Sequence, residues 1–163
     1  VGKAVGILPM AVYRHDANRA GLWNALADEG FDELAKRLAG ARSAVDVEKR
    51  LVKILNIYLA HALQNPRLFE LMFLMPREGA RRYPQDFKGG RSPTANQMIQ
   101  LIQEGMATGY FREDDAWEIV FEMGALLQGL VMLYLGGRMA VSPVRFRAFC
   151  HRSFRRYIRG IRC

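Results

Sequence analysis

Cysteine and histidine are scarce in this chain, and their scarcity argues against several classes of function. Its two cysteines, Cys150 and Cys163, have no metal-ligand spacing to each other or to a histidine. His151 follows Cys150 directly, but neighbours on a helix point in different directions and do not form a nucleophile-base pair. No glycine-rich phosphate loop carries a lysine at the required spacing. We therefore expect no enzyme, no metal site and no cofactor.

Proline is also sparse, whereas half of the residues are hydrophobic, which favours an ordered protein. Apolar residues recur at steps of three and four, and neither repeats nor β-alternation is found, so the sequence predicts an all-α fold. Cys150 lies on such an apolar stripe and is expected in the core. The predicted helices cover about 19–38, capped by Asn18, about 46–65, capped by Asp46, and 67–75, with a long loop at 77–93. The next helix starts at Ser92 or Thr94 and ends at Gly109. The last two cover about 116–135, capped by Asp114-Asp115, and 143–161, started by Ser142-Pro143.

The stretch from Gly6 to Arg19 predicts a short helix entered by a sharp turn. Gly6 permits the backbone of a tight turn, and Pro9 suits the first turn of a helix. Small, aromatic and basic residues on the outer side of this helix could contact a DNA major groove and its phosphates. The pattern alone is also that of an ordinary surface helix.

The run VGILPMAVYRHDANRAGLWNALADEGF resembles the helix-turn-helix end of the tetracycline-repressor (TetR) family of transcriptional regulators. The resemblance rests on Gly6, on Tyr13 and His15 two apart, and on Asn18-Arg19 ahead of an apolar stripe. It implies an incomplete DNA-binding domain over residues 1–38, whose earlier helices lie before Val1, and a helical ligand-binding and dimerisation domain over 45–163. It also implies these DNA-contacting residues: Lys3, Pro9, Met10, Ala11, Tyr13, Arg14, His15 and Arg19.

Two positions depart from the family pattern. Leu8 stands where a serine or threonine normally caps the recognition helix, and losing such a cap costs roughly 1 kcal/mol. Asp16 replaces an apolar or aromatic residue and places a carboxylate near the DNA phosphates. These departures leave open a third hypothesis, that the chain is a ligand-binding domain whose DNA-binding segment has lost its function.

The resemblance further implies a small-molecule effector and a two-fold dimer formed through helices 116–135 and 143–161. Methionines and aromatic residues supply soft apolar walls for a pocket, and a few polar groups, among them Asn96 and Gln97, could orient a ligand. The same side chains could equally be ordinary core. The proposed pocket consists of Tyr58, His61, Met72, Phe73, Met98, Ile102, Phe121, Glu122 and Gln128.

The formal net charge of +8 favours anionic partners, but it is concentrated late in the chain. The last predicted helix and the residue that follows it contain no acidic residue but many arginines: Arg145, Arg147, Arg152, Arg155, Arg156, Arg159 and Arg162. This pattern supports a competing hypothesis, a helical module that binds a membrane surface or a protein partner. The leading prediction is a cytoplasmic, dimeric repressor that binds a pseudo-palindromic DNA operator and is released by its effector.

Overall fold

A computed structural model describes residues 9–43 and 46–163, with side chains described from Arg19 to Ala41 and from Asp46 onward. Its helices pack around one hydrophobic core, and no strand is found in the described ranges. The predicted all-α fold is confirmed. The helices are α1 (Pro9–Ala39), a 3₁₀ turn (Gly40–Ser43), α2 (Val47–Gln64), α3 (Pro66–Phe73), α4 (Gln85–Lys88), α5 (Pro93–Ala107), α6 (Ala116–Leu135) and α7 (Pro143–Ile161).

The first helix differs from the sequence prediction. We predicted a short helix after Pro9 and a new helix capped by Asn18, but α1 runs through that position without a break for 31 residues. The predicted boundary was wrong because no proline or glycine follows Pro9 until Gly21, and the propensity penalties of Asp16 and Asn18 are small inside a helix.

The starts of α2, α5, α6 and α7 follow their predicted caps. Asp46 accepts a hydrogen bond from the backbone N–H of Glu48 at 2.7 Å, and Asp115 accepts from the N–H of Trp117 at 2.8 Å. Ser92 and Ser142 cap α5 and α7 in the same way, each followed by proline in the first turn. Side-chain caps therefore set these boundaries.

The connection between α5 and α6 turns at Gly109, whose φ of +71° favours glycine. This turn inserts Phe111 into the core, where it is 1% exposed. The N–H of Arg112 then donates to the carbonyl of Ile161 at 3.0 Å, and the Arg162 guanidinium lies 4.7 Å from the centre of the Tyr110 ring. The end of α7 is therefore anchored to the α5–α6 turn.

The last two helices use their apolar stripes differently. On α7 the stripe Phe146, Cys150, Phe154 and Ile158 is buried, which confirms Cys150 as a core residue. Burial raises the pKa of the Cys150 thiol to about 11. On α6, apolar residues occupy both sides, so large side chains remain exposed after the core is filled: Phe121, Met132, Leu133 and Leu135.

Candidate effector and DNA-contact sites

The predicted DNA-contacting residues fall at the beginning of α1. Its backbone carries Pro9, Met10, Ala11, Tyr13, Arg14 and His15, whose side chains lie outside the described residues, as does the whole of Lys3. Arg19 is the first described side chain and is exposed. The structure therefore puts most of these residues on one helix, while their roles in DNA binding stay a prediction.

The described part of α1 changes from exposed to buried along its length. Leu22 and Leu26 are exposed, whereas Ala27 and Leu34 are fully buried and Leu38 is 4% exposed. This helix packs against α2, α3 and α5. Its second half therefore belongs to the core of the body, whereas the side chains of Leu22 and Leu26 face solvent.

Four predicted pocket residues form a compact cluster between α2 and α3. The Tyr58 ring meets the Phe73 ring edge to face, with centroids 5.8 Å apart. The fully buried His61 places its Nε2 3.3 Å from the Sδ of Met72, and its Nδ1 has no hydrogen-bond partner. Burial lowers the pKa of His61, because an imidazolium there would lose its hydration. Burial raises the pKa of Tyr58, because a tyrosinate there would also lose its hydration.

This cluster contacts both α1 and α6. The Nε2 of Gln128 on α6 donates to the carbonyl of Phe73 at 3.0 Å, and the Phe31 ring of α1 meets the Phe73 ring at 5.1 Å. A Cβ on Gly30 would lie 2.6 Å from the Sδ of Met72. Helices α1 and α3 therefore approach closely at Gly30, which has no side chain, and the cluster is packed against α1 there.

The other predicted pocket residues lie elsewhere. Ile102 is fully buried and Met98 is half-buried in the core. Phe121 stacks on Tyr83 with centroids 4.4 Å apart, and exposed Glu122 accepts a hydrogen bond from the hydroxyl of Tyr157 at 2.7 Å. The structure thus gathers Tyr58, His61, Met72, Phe73 and Gln128, and separates Phe121 and Glu122 from them. A ligand-binding role for either group stays a prediction.

Two arginines of the 77–93 loop hold the outer side of α1, which the sequence analysis did not foresee. Arg81 donates to the carboxylate of Asp28 at 2.9 Å, and its guanidinium carbon lies 4.8 Å from the centre of the Phe31 ring. Arg77 donates to the Oδ1 of Asn24 at 3.1 Å. The loop's basic residues were visible in the sequence, but their partners lie 53 positions earlier.

On the other side of α1, a cleft opens between the end of that helix, α2 and α5. Its volume is about 260 Å³. Arg50 and Glu104 form an ion pair at its wall, with Nη1 and Oε2 2.6 Å apart. Among its residues, sequence reasoning had proposed only Gln97 as a possible ligand contact. The lining consists of Leu38, Ala41, Arg50, Ile54, Gln97, Gln100, Leu101 and Glu104.

The outward faces of α6 and α7 carry opposite charges. Glu118 and Glu122 are exposed on α6, whereas the exposed residues of α7 include Arg145, Arg152, Arg155, Arg156 and Arg159. Within the described ranges, α6 is the one helix whose length and composition would allow it to cross a membrane, which is weak evidence because soluble core helices satisfy the same criteria. In the same ranges, no group of three or more His, Cys, Asp or Glu side chains could hold a metal ion.

Comparisons with known proteins agree with this architecture. Residues 51–159 match the model of the tetracyclin repressor-like, C-terminal domain. A crystal structure of a regulatory protein in the tetR family from Rhodococcus RHA1 is 18% identical, with a TM-score of 0.68 over 99% of this chain and 84% of that one. A protein of unknown function from Rhodococcus sp. RHA1 is 24% identical, with a TM-score of 0.71 over 87% of this chain and 74% of that one. No curated protein matches the sequence.

The all-α fold and the matched domain define the class, a helical transcriptional regulator. The domain match covers more than half of the chain, so the chain belongs to the tetracycline-repressor family, as the sequence motif had predicted. It is therefore a regulator and not an enzyme. The two solved structures, at these identities, support the fold.

Proposed function

We propose that this regulator is a cytoplasmic homodimer that binds a pseudo-palindromic DNA operator through the start of α1 and represses transcription until a small molecule releases it. The observation that carries the proposal is the continuity of α1. One helix joins most of the predicted DNA-contacting residues, from Pro9 to Arg19, to Leu34 and Leu38 in the core of the body. At 1.5 Å per residue it is about 46 Å long, so a change at its buried end is transmitted to its beginning.

The outward faces of α6 and α7 support the dimer. Met132 is 46% exposed on a helix that also carries exposed Phe121 and Leu133, and large exposed apolar patches commonly mark protein interfaces. In a two-fold interface, Glu118 of one protomer could meet the arginines on the partner's α7, and the reverse contact would follow by symmetry. Such a dimer would present two DNA-binding segments to successive major grooves, about 34 Å apart or a multiple of it.

The effector would act through its different affinity for two positions of α1. A ligand that binds both positions equally shifts nothing, however tightly it binds. The body contacts that hold α1 on two sides are therefore where an effector can act. Repression in the absence of ligand is the mode that the family resemblance favours.

The DNA-binding proposal is tested by titrating the full chain against DNA from the region upstream of its own gene, with shuffled DNA as competitor. We expect tight binding to the upstream fragment and at least a tenfold loss with Tyr13→Ala. Arg67→Ala is the matched control, because Arg67 is 94% exposed on α3 and far from α1's beginning in sequence. Equal binding to both DNAs, or full binding by Tyr13→Ala, would contradict the proposal.

The dimer is tested by sedimentation of the wild type and of Met132→Arg. We expect a dimer for the wild type and a monomer for the variant, because an arginine pair at the two-fold interface would be desolvated and repelled. Met75→Arg is the control, since Met75 is exposed to nearly the same extent, 43%, but follows α3. A monomeric wild type would overturn this part of the proposal.

A further inference from the structure

The cleft between α1, α2 and α5 is large enough for a compact small molecule. At about 30 Å³ for each molecule of liquid water, its 260 Å³ corresponds to about nine waters. This lies just below the usual range of ligand pockets, roughly 300–1,000 Å³. A compact molecule of about ten non-hydrogen atoms would therefore fill it.

The walls of the cleft favour an uncharged molecule with an apolar body. Leu38, Ile54 and Leu101 form the apolar part of the lining. Arg50 and Glu104 neutralise one another across 2.6 Å, so an ionic ligand would have to compete with an existing ion pair. Charge therefore gives an ion little advantage over a neutral molecule in this cleft.

Gln97 adds a requirement for a hydrogen-bond donor. Its Oε1 is buried and has no hydrogen-bond partner, although Gln97 lines the cleft. A buried acceptor without a donor is unfavourable, and the terminal torsion of glutamine is soft enough to turn the amide towards a ligand. Once the amide has turned, an N–H or O–H group in the cleft would satisfy this oxygen.

The cleft also contacts the end of the helix that leads to the DNA-binding segment. Leu38 lies in the last turn of α1, and Ala41 lies in the 3₁₀ turn that follows it. The Nζ of Lys53 on α2 donates to the carbonyl of Gly40 in this turn at 2.7 Å. A molecule wedged against Leu38 and Ala41 would press on the junction of α1 and α2.

We propose that this cleft is the effector site, and that it takes an uncharged molecule of about ten non-hydrogen atoms with an apolar body and one N–H or O–H donor directed at Gln97. The effector role rests on the proposed function, whereas ligand binding itself does not. This site is separate from the inner cluster of Tyr58, His61, Met72 and Phe73, which is packed against Gly30. Gln97 would discriminate between ligands with and without a donor.

The experiment compares indole, which has one N–H on a compact bicyclic body, with 1-methylindole, which lacks the donor. Calorimetric titration of the full chain without DNA should give a Kd for indole between about 10 µM and 1 mM. Binding of 1-methylindole should be at least tenfold weaker. Absence of indole binding at millimolar concentration, or equal affinity for the two compounds, overturns the proposal.

Variants locate the binding. Gln97→Leu should abolish the discrimination, whereas Gln103→Leu, on an exposed position of α5 outside the lining, should retain it. Because Gln97→Leu also removes an unpartnered buried acceptor, its Tm should rise by about 2–4 °C. Discrimination that survives in Gln97→Leu would show that Gln97 does not recognise the donor, and a lower Tm would contradict an uncompensated acceptor at this position.

A parallel measurement of DNA binding distinguishes failure of this proposal from failure of the proposed function. Indole binding that depends on Gln97, in a protein that binds no DNA, supports the ligand site and contradicts the function. DNA binding without any indole binding supports the proposed function and contradicts the ligand site. If both occur, saturating indole should weaken operator binding at least fivefold in the wild type, and an unchanged DNA affinity would overturn the effector role.

Discussion

The two flanks of α1 are built differently. On the α3 side, Phe31 lies against Phe73 and under the Arg81 guanidinium, and Gly30 lies against Met72. On the α5 side, near the end of the same helix, Leu38 borders a half-open cleft. One flank is filled by side chains and loop contacts, whereas the other retains space for a ligand.

This difference suggests how the helix could move. When a ligand enters a cleft beside the end of a rigid helix, the helix can turn about the contacts that hold its middle. The contacts around Phe31 would then serve as the pivot, and the junction after Leu38 as the point where force is applied.

Phe31→Ala should cause the largest loss of stability, about 3–5 kcal/mol, because it removes an aromatic side chain that is 9% exposed and contacts both α3 and the loop. Leu101→Ala in the cleft wall should cost less, about 2 kcal/mol, since its cavity merges with space already open to water. Urea unfolding measures both. Equal losses would remove the distinction between the flanks.

Arg81→Ala should cost about 1–2 kcal/mol in the same assay. This side chain is 19% exposed, stacks on Phe31 and donates to both Asp28 and the carbonyl of Arg91. The control Arg67→Ala should change stability by less than about 0.5 kcal/mol, because its ion pair with Glu70 is exposed. If the two variants behave alike, the loop does not hold α1.

Gly30→Ala should destabilise the protein by about 1 kcal/mol. The new Cβ would meet the Sδ of Met72 at 2.6 Å, and the resulting repacking should outweigh the gain in helix propensity. Gly21→Ala on the same helix is the matched control. Its Cβ position has no atom within 4 Å apart from its chain neighbours and the backbone of its own helix, so it should stabilise the protein by about 1 kcal/mol. Thermal unfolding should therefore give opposite signs.

The smallest expected effect is a pH dependence centred on His61. Burial holds its folded pKa below the ordinary value of about 6.5, so the unfolded chain binds the proton more readily. Stability should be at its full value above that pH and should fall as the pH is lowered from about 7 towards 5. Replacement of His61 by leucine should flatten the Tm profile. His151→Gln controls for the second histidine whose pKa is lowered.

The sequence predicted much of the fold because helix boundaries are encoded locally. Asp46, Ser92, Asp115 and Ser142 each accept a hydrogen bond from a backbone N–H within the next three residues, so the signal lies within one helical turn. The wrong prediction of a helix start at Asn18 also came from a local signal. A residue that can cap a helix does so only where the chain departs from helical backbone, and nothing nearby interrupts α1.

The sites were less predictable because they depend on distant partners. Tyr58 and His61 fall on one helix, so their proximity follows from sequence, but their contacts with Phe73 and Met72 on α3 depend on how the helices pack. Glu122 was separated from the cluster because its helix turns it towards Tyr157. The cleft could not be predicted, since a void is left where α1, the 3₁₀ turn, α2 and α5 fail to meet and no residue pattern encodes it.

The anchored end of α7 has a practical consequence. Cys163 is exposed, whereas Cys150 is buried and its raised pKa keeps it a thiol at neutral pH. A maleimide spin label should therefore attach at Cys163, next to the Arg162 contact with Tyr110 and remote in sequence from α1. In the proposed dimer, the distance between two such labels would report on the separation of the bodies without a reporter group on the DNA-binding segment.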